Sequence, residues 1–152
     1  LEVGAAALDK TVANFAKDNE IGNLEYLSCI PGTIGGAVIM NSGCYGKDIS
    51  QNLISIKIID LKECKEKEIK RNDIKFFYRG TNLSNEIIIT SVKLKGKKNL
   101  KKNIEQIQNE MLQKKKISQP SQIKTCGSTF KNFSNEKKAW QIIKERLALV
   151  GS

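Results

Sequence analysis

The feature that most constrains this sequence is an uncharged, glycine-rich stretch, SCIPGTIGGAVIMNSGCYG, at residues 28–46. Glycine allows the backbone to approach another group closely, and Thr33, Asn41 and Ser42 add hydroxyl and amide groups. The stretch therefore suits a pyrophosphate held by neutral dipoles. The alternative is a pair of tight turns packed against a sheet. Neither standard nucleotide fingerprint is present, since the stretch has no G-x-x-x-x-G-K-[ST] and no G-x-G-x-x-G.

Length and composition indicate a folded chain. Its 152 residues, 39% of them hydrophobic, are enough for one domain or for parts of two. No apolar run approaches the roughly 20 residues that span a bilayer, and the first residues, LEVGAAALDKT, lack the pattern of a secretory signal. We therefore expect a cytoplasmic protein without a membrane partner.

The net charge of +10 has two interpretations, an anion-binding surface or a solvated lysine-rich face. The positive charges are mostly lysines spread through segments such as KKNLKK, without the arginine and aromatic clusters typical of nucleic-acid binding. We therefore expect no nucleic-acid partner. The four cysteines form no C-x-x-C pair and the chain has no histidine, so we expect free thiols and no metal site.

Periodicity predicts an α+β chain with an antiparallel sheet and flanking helices. Leu8, Val12, Phe15 and Ala16 recur at helical spacing and predict a helix that stops at Gly22. Residues 53–61, 65–71 and 85–95 predict three strands arranged as a meander. A second helix is expected from about residue 100 to 116, and a last one after Ser134 or Asn135, with its buried side at Ala139, Ile142, Ile143 and Leu147.

Four motifs in order give a more specific indication. IPGTIGGAVIMNSGCYG resembles the flavin-binding segment of UDP-N-acetylenolpyruvoylglucosamine reductases, the MurB family. FFYRG (76–80) is similar to that family's F-YR motif, and SQP with CGSTFKN (118–132) is similar to its QP and GSxFKNP motifs. The resemblance covers essentially the whole chain, which matches about the middle half of a family member.

The resemblance implies a flavoenzyme of peptidoglycan precursor synthesis. Its FAD takes hydride from NADPH and reduces the enolpyruvyl group of UDP-N-acetylglucosamine enolpyruvate to give UDP-N-acetylmuramate. It also implies two domains: residues 1–97 as the C-terminal part of an FAD-binding domain of the para-cresol methylhydroxylase (PCMH) type, and residues 98–152 as the start of a smaller substrate domain. The missing N- and C-terminal segments of the enzyme would be partners of the chain.

Residue roles follow from the same resemblance. Arg79 matches the arginine that holds and polarises the substrate carboxylate, and Ser128 matches the serine that donates a proton to the enol. Tyr78, Lys131 and Asn132, with Arg79, stand where the family binds substrate. The expected cofactor-binding residues are Ile30, Pro31, Gly32, Thr33, Ile34, Gly35, Gly36, Asn41, Gly43 and Gly46.

The sequence also departs from the family pattern. The upstream G-x-S-N flavin loop and the final glutamate are absent from the chain, and Phe133 replaces the proline of FKNP. Two functions therefore remain open, a segment of a working reductase or an inactive remnant that binds nucleotides weakly.

Overall fold

The computed structural model describes residues 1–118, so the expected last helix and the residues Ser128, Lys131 and Asn132 lie outside the described residues. Three short 3₁₀ turns, Glu25–Cys29, Ile49–Gln51 and Arg71–Asp73, join the helices and strands. In chain order, these are β1 (Glu2–Gly4), α1 (Asp9–Asp18), β2 (Ile21–Gly22), α2 (Ile34–Ile39), β3 (Gly43–Cys44), β4 (Lys47–Asp48), β5 (Leu53–Asp60), β6 (Lys65–Lys70), β7 (Phe76–Phe77), β8 (Gly80–Thr81), β9 (Ile87–Leu94), β10 (Lys97–Lys98) and α3 (Lys101–Ser118).

The main sheet has four antiparallel strands in the order β1-β9-β5-β6. The antiparallel α+β architecture is confirmed, and the three predicted strands have bounds close to the expected ones. The predicted meander is wrong. β9 pairs with β5 instead of β6, with Ile56 opposite Val92, because the chain between β6 and β9 crosses back to the other edge of β5.

The core lies on one face of this sheet. Ile56 and Ile58 of β5 and Val92 and Leu94 of β9 are at most 2% exposed. They belong to one apolar cluster with side chains of α1 and α2, among them Val12, Ala16, Ile34 and Val38. Burial of branched aliphatic side chains against two helices is what holds the sheet and the glycine-rich stretch together.

Helix α1 is shorter than predicted and presents a different face. It ends at Asp18, and Gly22 instead pairs with Lys97 between β2 and β10. Val12 and Ala16 are buried, but Leu8 and Phe15 are 57% and 52% exposed. Helix α1 packs mainly against the Glu25–Cys29 turn, β2 and α3. The helical stripe that contains positions 9, 12, 13 and 16 is its buried face, so Asp9 is buried in place of the two larger apolar residues.

Helix α3 packs against α1 and the Glu25–Cys29 turn. Its buried residues are Ile104 and Gln108, and the Gln108 side-chain amide donates to the Ala13 carbonyl at 3.2 Å. Lys115 donates to the Cys29 carbonyl at 2.8 Å.

The division of the chain at residue 97 stays a prediction. Among residues 1–118, no helix is long and apolar enough to cross a membrane.

The glycine-rich stretch packs beside β1 and the segment that follows it. The backbone N–H groups of Ile34 and Gly35 donate to the carbonyls of Ala7 and Ala5, each at 2.9 Å. A Cβ on Gly35 would lie 2.9 Å from the Cβ of Ala5 and 3.2 Å from its carbonyl oxygen. Glycine is therefore required at position 35 by the close approach of α2 to the segment after β1.

We expect Gly35→Ala to lower the free energy of unfolding by about 1–3 kcal/mol, because the added methyl group overpacks this contact. Gly4→Ala is the matched control, since a Cβ there meets nothing within 4 Å. Urea unfolding of the two variants gives the comparison. Equal effects at positions 35 and 4 would contradict the close contact.

Candidate functional site

Two tight hairpins flank the chain that follows α2. Tyr45 and Gly46 join β3 to β4 with φ values of 52° and 76°, the signs of a type I′ turn. Tyr78 and Arg79 join β7 to β8, and Arg79 has φ of 57°. A non-glycine residue in the left-handed region costs of order 1 kcal/mol and persists where the surrounding contacts fix it.

Between the hairpins lies a cleft of about 580 Å³. Its charged lining residues are three cations and one acid, and aromatic side chains come from both turns. The lining consists of Asn41, Gly43, Cys44, Tyr45, Gly46, Lys47, Asp48, Ser50, Arg71, Phe76, Phe77, Tyr78 and Arg79.

The Arg79 side chain joins the two hairpins. Its Nη2 donates to the Gly43 carbonyl at 2.9 Å and its Nη1 to the Asn41 carbonyl at 3.4 Å. The guanidinium carbon lies 5.1 Å from the centre of the Tyr78 ring. These contacts hold a positive charge in the cleft. Among residues 1–118, no carboxylate lies within 4.0 Å to neutralise that charge.

The Asn41 side chain also links the chain after α2 to the β7–β8 hairpin. Its side-chain amide donates to the Phe77 carbonyl at 3.0 Å, and its backbone has φ of 42°. Its Oδ1 is buried and accepts no hydrogen bond from the described residues. A buried carbonyl oxygen without a donor is costly, so this atom suits a ligand that brings an N–H or O–H group.

The structure brings together only some of the predicted site residues. Asn41, Gly43, Gly46, Tyr78 and Arg79 all line the cleft, but the predicted residues at 30–36 do not. Ile34 and Gly35 are buried and their N–H groups are used within the fold.

Within residues 30–36, the loop that precedes α2 offers exposed backbone. Pro31, Gly32 and Gly36 are exposed, and Thr33 is half-buried and caps α2 through its hydroxyl. The N–H groups of Gly32 and Thr33 donate to no acceptor within residues 1–118. They are the backbone donors of this loop that remain for a ligand.

Some residues of the site were missed by sequence reasoning. Tyr45, Lys47 and Arg71 line the cleft without having been predicted. A usable signal existed for Arg71, because arginine is rare in this lysine-rich chain and position 71 lies shortly before the FFYRG motif. Tyr45 and Lys47 lie in and just after the turn of a hairpin that the sequence did not predict.

Cys44 is a poor nucleophile. Burial, followed by the neighbouring Cys29 thiol, raises the pKa of Cys44 to about 12, and its Sγ donates to the Tyr26 carbonyl at 3.4 Å. The thiol is therefore neutral at physiological pH. Cys29, Cys44 and Cys64 are all free, in line with the expected free thiols, and the described part of the chain contains no cluster of metal-ligating side chains.

Asp9 is a buried carboxyl behind the exposed loop. Its backbone N–H donates to the Gly32 carbonyl at 3.0 Å, and neither side-chain oxygen accepts a hydrogen bond from the described residues. Removal from water disfavours the charged form and raises the pKa of Asp9 to about 6. The Tyr26 hydroxyl is also buried without a partner there, and burial raises the pKa of Tyr26 above its ordinary value.

The fold and cleft define a class, an α+β unit with an arginine-lined cleft next to a glycine-rich loop. No family model matches the chain. It is 44% identical over 96% of its length to the UDP-N-acetylenolpyruvoylglucosamine reductase of Pelagibacter ubique, and 38% identical over 92% to that of Wolbachia pipientis wMel. The crystal structure of the MurB reductase from Thermus caldophilus superposes with a TM-score of 0.84, at 29% identity, over 96% of this chain and 53% of that one.

The resemblance read from the four motifs is thereby confirmed. The chain is a relative of the UDP-N-acetylenolpyruvoylglucosamine reductases, and it spans about half the length of the curated relatives that it matches.

The pKa of Asp9 predicts a pH-dependent stability. Because the folded-state pKa lies above the unfolded one, the contribution of Asp9 is fully present below about pH 4 and is lost as pH rises through about 6. Between about pH 5 and pH 8 the free energy of unfolding should fall by about 1 kcal/mol more in the wild type than in Asp9→Asn.

Urea unfolding at the two pH values measures this difference. Asp18→Asn is the control on the same helix, because the Lys101 ammonium lowers the pKa of Asp18 and this carboxyl stays ionised over that range. A decline that is unchanged in Asp9→Asn would show that another group causes it.

Proposed function

We propose that the chain forms about half of a flavin-dependent reductase that converts UDP-N-acetylglucosamine enolpyruvate to UDP-N-acetylmuramate, with NADPH and FAD, in the cytoplasm. The observation that best supports this is the contact of Arg79 with the carbonyls of Asn41 and Gly43. It joins the two motifs, far apart in sequence, on which the resemblance to the reductases depends. The similarity to relatives bearing that name is the second support.

The residues of the glycine-rich stretch fit a flavin nucleotide. The buried Oδ1 of Asn41 offers an acceptor, and the N–H groups of Gly32 and Thr33, which donate to no acceptor in residues 1–118, offer donors. Leu8, Ile39 and Met40 expose apolar surface at or near the same stretch, which a planar aromatic ring could cover. FAD, when bound, would supply hydride transfer between NADPH and the substrate.

Arg79 is proposed to bind the carboxylate of the enolpyruvyl group. A guanidinium carries five N–H donors, and two of the five in Arg79 are taken by backbone carbonyls. The remaining donors can form a fork on a carboxylate. Since negative charge develops on the carbon beside that carboxylate, a fixed cation there stabilises the transition state more than the substrate.

Ser128 is proposed to donate a proton to the carbon beside the substrate carboxylate, where negative charge develops. Lys131 and Asn132 are proposed to bind the substrate together with Tyr78. These assignments rest on the resemblance of CGSTFKN to the family motif. The proposed division into an FAD-binding part at 1–97 and a substrate-binding part at 98–152 has the same basis. The half of the reductase that this chain does not span would complete both parts.

A remnant without turnover is the second candidate. The observation that favours it is a departure within the motifs, since Phe133 stands in place of the proline of FKNP. Of the following two experiments, the first measures how much of the cofactor site this chain holds, and the second separates the candidates.

We expect the 152-residue chain to bind FAD at least about 100-fold more weakly than the full-length Pelagibacter relative. Contact area and preorganisation are lost when only about half of a site is present. Quenching of flavin fluorescence on titration measures both affinities. Stoichiometric yellow protein that keeps its flavin through gel filtration would show that this chain holds the cofactor alone.

The second experiment replaces the corresponding half of the Pelagibacter enzyme with this chain. In that chimera, Arg79→Gln should lower kcat/KM for the enolpyruvyl UDP-sugar by about 10²- to 10³-fold, because a charge-stabilising donor is lost. Arg79→Lys keeps the charge but not the fork and should still lose about tenfold.

The control is Lys65→Gln, an exposed lysine on β6 that does not line the cleft. NADPH oxidation with ferricyanide as acceptor is the second readout, and it should be unchanged in both Arg79 variants. Loss of ferricyanide reduction in parallel with substrate turnover would mean that Arg79 maintains the flavin site and does not bind the substrate carboxylate. A chimera without any turnover would favour the remnant.

A further inference from the structure

Arginine is rare in this chain, and both arginines of the described residues line the same cleft. The sequence contains three arginines, Arg71, Arg79 and Arg146, among 26 basic residues. Arg71 and Arg79 both line the cleft between the hairpins, and Arg146 lies outside the described residues. Arginine differs from lysine in presenting a planar fork that matches carboxylate and phosphate oxygens.

Arg71 is held as firmly as Arg79, and in the same manner. Its Nε donates to the Ser50 carbonyl at 2.9 Å and its Nη1 to the Ile74 carbonyl at 3.2 Å. Its guanidinium carbon lies 4.5 Å from the centre of the Phe76 ring. Two carbonyls and an aromatic face therefore fix each of the two guanidinium groups.

Neither guanidinium is neutralised by these contacts. Carbonyl oxygens accept hydrogen bonds but carry no net charge, and within residues 1–118 neither arginine has a carboxylate within 4.0 Å. Asp48 is the one acid in the cleft lining, and it accepts a hydrogen bond from the Ser50 hydroxyl. Three of the five N–H donors of Arg71 remain after its two carbonyl contacts.

We propose that Arg71 is a second anion-binding residue of the cleft and that it takes phosphate oxygens of a nucleoside diphosphate group. This inference deepens the proposed function and rests on it, because the proposed substrate carries a carboxylate and a diphosphate in one molecule. Arg79 would bind the first anionic group and Arg71 the second. Two fixed cations in one cleft would then orient the substrate as well as attract it.

A purely structural role is the competing explanation, since Arg71 also braces the Arg71–Asp73 turn against Ser50. The two roles differ in what an anion does to the side chain. Anion binding changes the environment of the guanidinium, whereas a brace is indifferent to added anions. The test therefore observes the arginine side chains directly.

The experiment uses the 15N-labelled 152-residue chain and inorganic pyrophosphate. With three arginines, the Nε–Hε region of the 1H–15N spectrum holds three signals, and Arg71→Gln and Arg79→Gln assign two of them. We expect the Arg71 signal to shift saturably with pyrophosphate. Arg71→Gln should weaken pyrophosphate binding about tenfold or more, as the loss of charged hydrogen bonds predicts. Arg71→Lys should recover only part of the affinity.

Lys65→Gln removes the same charge outside the cleft and should leave the affinity unchanged. Melting temperatures confirm that each variant is folded. The proposal is overturned if the Arg71 signal does not shift, if folded Arg71→Gln binds pyrophosphate like the wild type, or if Lys65→Gln weakens binding equally. Pyrophosphate binding needs neither flavin nor turnover, so an inactive chimera with an intact Arg71 response would overturn the proposed reductase and leave the anion site.

Discussion

The structure depends on the pairing of β5 with β9. These two eight-residue strands are the central pair of the main sheet, and they place Ile56 opposite Val92, both fully buried. At one end of the pair, two hydrogen bonds join Asn52 to Lys95. The Lys95 N–H donates to the Asn52 carbonyl, and the Asn52 side-chain amide donates to the Lys95 carbonyl. The segment between the strands, residues 61–86, becomes a closed loop that carries the β7–β8 hairpin. The cleft exists because this loop returns to the chain that leads into β5.

The local parts of the fold were predictable from the sequence, and the non-local parts were not. Alternating β-branched residues gave both long strands, because alternation reports one buried face. Strand order depends on how residues 61–86 fold back across β5, and no local pattern encodes that path. The buried face of α1 was predicted wrongly for a related reason. Apolar periodicity points to Leu8 and Phe15, but the helix turns Asp9 inward, and a single acidic residue gives no signal of its burial.

The candidate site shows the same division. Motif resemblance indicated Asn41, Gly43 and Arg79, and the structure brings them together through hydrogen bonds from a side chain to backbone carbonyls. Such bonds depend on backbone position and not on the identity of the acceptor residue, so no sequence pattern predicts them. Gly35 was expected to serve a ligand, whereas its N–H and its missing Cβ are both used in packing against Ala5. Ser128 and Lys131 remain predictions from the motif alone.

The charge of the cleft and the charge of the chain have different origins. Much of the net +10 belongs to lysines on solvated surfaces, several of which are paired with exposed carboxylates, as in Lys57 with Glu2 and Lys62 with Glu86. Water and salt screen exposed ion pairs of this kind, so each pair contributes little to the free energy of unfolding. The two cleft arginines bond carbonyls instead, and no carboxylate of residues 1–118 lies within 4.0 Å of either, so the described part of the chain positions them without neutralising them. Removing such a cation from water costs desolvation free energy. An anion that binds the cation can offset this cost. If Arg71 and Arg79 bind as proposed, the cleft takes an anion with two separated negative groups, independently of the lysine-rich surface around it.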